Sequence, residues 1–167
     1  MRLSSLALTL SLAIPAASAG PAAATGGDLK PGEAKGKLTV NGETADLTYA
    51  YLTAESGTAG VVTLANMAVG PELQNKTLMF EKREPVKQGK LYLMNVKLDA
   101  KGQVVSCEIY HRKLGPMQHT NVVGMNSFEK AEMSANHVRG RVFMKQPWKN
   151  SDGETEIFYD ISFDATH

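Results

Sequence analysis

The closing stretch ETEIFYDISFDA (154–165) alternates with period two, setting Ile157, Tyr159, Ile161 and Phe163 on one side and Phe158, Asp160 and Ser162 on the other. Alternation of this length marks a strand with one face in a core. Just before it, HVRGRVFMK (137–145) places Val138, Val142 and Met144 on one face with Gly140 between them, so the two runs predict a hairpin. At the other end, KLTVNGETADLTYAYL (37–52) sets two alternating runs either side of Asn41-Gly42. That pair suits a type I′ turn, which needs positive φ at both central residues. Ala45, Leu47, Tyr49 and Tyr51 should then share one face, and Asp46 and Thr48 the other. A third hairpin is expected from Lys90–Asp99 and Gln103–His111 around Ala100-Lys101-Gly102.

Between these hairpins Val61–Leu64 reads as a short strand. Met67–Lys76 reads as a loop or a helical turn with Pro71-Glu72 at its start. Thr77–Phe80 and Ser127–Ala135 fit helix and strand equally. Seven or eight short strands with little helix predict an antiparallel β-sandwich, with a small closed β-barrel as the alternative. On the outer side of the last hairpin, Arg139 and Arg141 oppose Glu156 and Asp160. A register with Arg139 facing Asp160 would give an exposed ion pair of at most ~1 kcal/mol.

The chain opens MRLSSLALTLSLAIPAASAG, with Arg2, an apolar run to Ile14, and small residues at Ala17 and Ala19. This is the pattern of an export signal cleaved near Ala19, and the run is too short for the ~20 residues a membrane crossing needs. The expected organisation is a signal peptide at 1–19, a flexible Gly/Pro/Ala-rich leader at 20–36 and a single β domain at 37–167. The product should be periplasmic or extracellular, with no integral membrane segment. Losing Arg2 brings the 18 basic residues level with the 17 acidic ones. A balanced surface argues against nucleic acid, which calls for clustered Lys and Arg. Cys107 is the only cysteine, so no internal disulfide can brace the fold. In VVSCEIY it should share one strand face with Val105 and Ile109, as a buried and inert thiol.

Two stretches carry a resemblance. Gly36, Leu38, Val40 and Gly42, followed by Leu47, Ala50 and Tyr51, and then FYDISFDA at 158–165, resemble the opening hairpin and closing strand of small secreted bacterial proteins of unknown function. The resemblance covers the two ends of the chain. It implies an exported β domain and brings no activity or site residue.

Motifs for catalysis are missing. The sequence has no G-x-S-x-G elbow, no phosphate-binding or dinucleotide-binding glycine pattern, and no paired acidic motif. Four residues on one strand would set Cys107 and His111 ~13 Å apart, too far for a nucleophile–base pair. A hydrolase of unrecognised type therefore stands third among the readings. Second stands copper: HRKLGPMQHTNVVGM (111–125) holds Met117, His119 and Met125, whose thioether and imidazole groups suit Cu(I). Met67, Met79, Met94, Met133 and Met144 lie in runs where methionine fills a core. First stands a non-catalytic binding or envelope accessory protein with no cofactor and with a protein or glycan partner. Its recognition residues would sit on the loops Lys113–Asn126 and Gln146–Gly153, with Trp148 and His119 as candidates. Trp148 could instead fold back over the core edge. Asn75-Lys76-Thr77 matches a glycosylation sequon by chance in a bacterial-type sequence.

Overall fold

Asn41 and Gly42 both take positive φ, 48° and 77°, and join β1 (Glu33–Val40) to β2 (Glu43–Thr53) with Val40 opposite Glu43. The computed structural model describes residues 28–74, 79–115, 119–151 and 153–167, so the expected signal peptide lies outside it. From β2 the chain meanders through β3 (Gly60–Ala65), β4 (Leu93–Leu98), β5 (Val104–Tyr110) and β6 (His119–Val122), each antiparallel to its predecessor. It then forms β7 (Ser127–Met133), β8 (His137–Phe143), the two-residue β9 (Trp148–Lys149) and β10 (Glu156–Thr166), which returns alongside β1. The strand order is β6-β5-β4-β3-β2-β1-β10-β8-β7, with β9 attached to β10. The protein is thus mainly β, with one antiparallel sheet curled into a half-barrel, in keeping with the sandwich-or-barrel expectation.

The main core lies on one face of this sheet. Ile157, Tyr159, Ile161 and Phe163 are all fully buried, as their alternation predicts, and meet Leu38, Leu47, Leu64, Met94, Val96 and Ile109. Each such side chain contributes about 1.5–3 kcal/mol by leaving water. The opposite face carries a smaller cluster of Ala65, Val69, Val86, Leu91, Leu93 and Tyr110. Two helices lie in the β3–β4 connection, α1 (Pro71–Gln74) and α2 (Met79–Lys87). Pro71-Glu72 starts α1 as its sequence indicates. α2 leaves no apolar stripe in the sequence, because Lys82 and Val86 are its buried residues among the described side chains. Lys82 is wholly buried, with Nζ 4.9 Å from the Tyr110 ring centroid, and desolvation lowers its pKa.

The structure corrects several of the strand-face expectations. β1 begins at Glu33, inside the stretch that composition assigns to the leader. The small residues there are what close strand contact requires: a Cβ on Gly36 would lie 2.2 Å from the Asp160 carbonyl oxygen. Between Glu33 and Gly36, β1 carries one residue more than β2 does between Leu47 and Tyr49. The alternation in β2 breaks at the same place, while β1 keeps its register with β10. Ala50 and Leu52 point into the main core, Tyr49 is 39% exposed, and Tyr51 packs against the smaller cluster, so Tyr49 and Tyr51 do not share the face of Leu47. A second bulge leaves Val105 without a partner, since Lys97 faces Ser106 while Leu98 faces Val104. Val105 is therefore exposed, whereas Cys107 and Ile109 are fully buried. Met94 and Met144 are core residues, but Met67 is 46% exposed.

Arg139 lies opposite Asp164, not Asp160. The apolar phase of the two strands sets this register, bringing Val142 against Ile161 and Val138 against Ala165. Arg141 reaches diagonally to Asp160 through two hydrogen bonds of 2.7 Å and lies over the Phe143 ring. His137 bridges Asp164 at 2.7 Å and Glu132 at 3.2 Å, and the Asp164 hydrogen bond raises its pKa.

Desolvation pushes the Cys107 thiol up to about 12, offset only in part by a hydrogen bond with Tyr159. The native protein is accordingly expected to resist a disulfide thiol reagent and to react once urea unfolds it. A native-state reaction as fast as that of a free thiol would contradict this burial.

Candidate functional site

Two places bear on the candidate residues read from the sequence. The first is built around Glu43, the residue that follows the Asn-Gly turn. Its carboxylate accepts from Arg112 Nε at 2.5 Å, Arg112 NH2 at 2.8 Å and the Tyr92 hydroxyl at 2.7 Å. Paired, charge-assisted contacts of this kind favour the ionised acid. The Arg112 bonds, reinforced by Tyr92, hold Glu43 at about 2 against the desolvation that opposes them. Beneath it His111 is fully buried, its ring 4.7 Å from that of Tyr92. Its Nδ1 accepts the Lys113 backbone N–H at 3.2 Å, which assigns the proton to Nε2. That Nε2 lies 4.0 Å from Glu43 Oε1, beyond hydrogen-bond reach, and has no hydrogen-bond partner among the described residues. Burial pulls the imidazole down to about 4, so it is neutral at physiological pH.

Chemically this cluster is a brace. A carboxylate already engaged by a guanidinium and a phenol is a weak base, and a buried neutral imidazole presents no free lone pair. Its components come from the start of β2, the approach to β4 and the end of β5, which it locks together. Sequence reasoning picked out only His111 here. Glu43 and Arg112 stand 69 residues apart, and the usable sign was the run His111-Arg112-Lys113 at a strand end.

The second place is a cleft of about 440 Å³ lined by Gly124, Met125, Asn126, Ser127, Lys145 and Gln146. Its two walls come from the loops after β6 and after β8. Asn126 anchors the first wall, donating to the Val122 carbonyl at 3.1 Å and bonding the hydroxyl of buried Tyr159. Met125, which lines the cleft together with the exposed Lys145, is 38% exposed, and Val123, two residues before it, is 64% exposed.

Of the residues proposed as ligands or anchors, Met125 lines this cleft. His119 opens β6 with its backbone opposite Tyr110. Met117 lies outside the described residues, so the structure does not assemble the Met117–His119–Met125 set. Among the described residues no group of three or more His, Cys, Asp or Glu side chains could hold a metal ion. Trp148 is partly buried, opposite Ile157 in the β9–β10 pairing, and packs against the main core. Compared with known proteins, the chain matches no family model, no curated protein and no solved structure.

Proposed function

We propose that this protein is an exported, non-catalytic binding or envelope accessory domain that engages a partner at the cleft beside Met125. The observation that carries the reading is the meeting of two separate loops. Residues 124–127 and 145–146, taken from the two stretches marked for recognition or their borders, line one cleft. Exposed apolar side chains next to a cation suit a partner with an apolar anchor and a nearby carboxylate or phosphate. The spending of Glu43 and His111 on cohesion supports binding over acid–base chemistry.

A photoreactive amino acid at Met125, irradiated in the envelope fraction, is expected to capture one discrete adduct. The same group at Lys101, on the β4–β5 turn, should not capture it. Identical capture at both positions, or none at Met125, would remove the cleft as the partner's seat. Stoichiometric copper in the purified protein would revive the thioether–imidazole alternative.

A further inference from the structure

The phase slip in β2 has an outcome at the surface. Regular alternation would bury Tyr49 beside Leu47, but where the β1–β2 register shifts β2 breaks its alternation and the ring is 39% exposed. Bulges commonly re-aim side chains in this way. Facing the ring, Lys30-Pro31-Gly32-Glu33 forms a type II turn. Gly32 has φ 89° and the Glu33 N–H reaches the Lys30 carbonyl at 3.0 Å. The turn is tied down on both sides, because Gly32 donates to the Asp164 carbonyl at 2.8 Å and accepts from the Ala50 N–H at 2.9 Å. The Glu33 carboxylate is also fixed, accepting the Lys30 N–H at 3.0 Å.

Between this wall and Tyr49 runs an open groove of about 560 Å³, bordered by Glu33, Lys35 and Thr48. The residues that line it include one aromatic ring, one carboxylate, one ammonium and one hydroxyl. The two charges offset each other, so the groove has no bias toward an ionic ligand. A neutral sugar fits these groups: the C–H face of a pyranose packs on an aromatic ring, and its hydroxyls both donate to a carboxylate and accept from an ammonium. We propose that this groove binds pyranose units of an oligosaccharide, with Tyr49 as the stacking platform and Glu33, Lys35 and Thr48 as hydrogen-bonding partners. The site is separate from the cleft beside Met125.

Titrating the purified protein with cellohexaose and with chitohexaose, followed by NMR and calorimetry, tests the proposal. At least one sugar is expected to bind at millimolar or lower concentration. Tyr49→Ala should weaken that binding about tenfold or more, the loss of one good contact. Tyr49→Phe, which keeps the ring, should stay within about threefold. A cooperative thermal transition well above the assay temperature in each variant would exclude misfolding as the cause. Binding of neither sugar, or equal affinity in Tyr49→Ala, would overturn the proposal. Lys145→Glu separates the two sites. It should leave sugar affinity unchanged, whereas a parent protein that binds sugar but gives no Met125 adduct would count against the loop cleft alone.

Discussion

Replacing Gly36 with alanine is expected to destabilise the protein by about 3 kcal/mol or more, at the severe end for a single added methyl. The added carbon would meet backbone: the Asp160 carbonyl oxygen at 2.2 Å and the Ile161 Cα at 2.5 Å. A flexible side chain could swing away, but these atoms belong to β10 and move only if the β1–β10 pairing opens. Gly42→Ala is the fitting control. A Cβ there meets nothing within 4 Å, and holding alanine at its positive φ of 77° costs about 1–2 kcal/mol. Urea unfolding should show the Gly36→Ala midpoint falling well below that of Gly42→Ala with an unchanged slope. Equal midpoints would mean that the strands do not approach as closely as described.

The second large effect is acid lability in two stages. His111 has a folded pKa of about 4 against an ordinary 6.5, so between these values the unfolded chain binds a proton that the folded one refuses. Stability therefore falls as pH drops from 6.5 to 4, by about 3 kcal/mol for a shift of this size. Glu43 acts in the next window. Its pKa is lowered from 4.5 to about 2, so the stabilisation from its ionised form is complete above 4.5 and is lost as pH falls toward 2. His111→Phe should flatten the upper limb of a stability-versus-pH curve and leave the lower limb in place. A parent curve that is level between pH 6.5 and 4 would show that the imidazole is not sealed from water.

Much of this architecture is legible in the chain itself. The Asn41-Gly42 turn, the Gly102 turn and the closing alternation each carry enough local information to fix a hairpin. The errors sit where a partner strand overrides local pattern. Tyr49 and Val105 are turned out by bulges that exist only in pairing, and no feature of LTYAY or VVSCE announces one. Residues 33–36 look like leader because Gly36 is small, yet smallness there answers to β10, more than a hundred residues away. The Glu43–Arg112 brace was hidden for the same reason, since neither residue stands out among ordinary surface charges. The loop cleft was half visible: both recognition stretches could be marked, but not their meeting at Asn126 and Lys145.

The seating of β1 between β2 and β10 also governs the order in which the molecule can assemble. Residues 33–40 have one neighbour that is made at once and another, 157–164, that is made more than a hundred residues later. The meander from β1 to β6 can begin to form early, but β1, at its edge, stays half-paired until residues 157–164 emerge. Such sequence-distant contacts slow folding to the millisecond-to-second range. Under the export reading, that delay works in the chain's favour: a polypeptide that cannot close its sheet before residues 157–164 appear stays threadable until then.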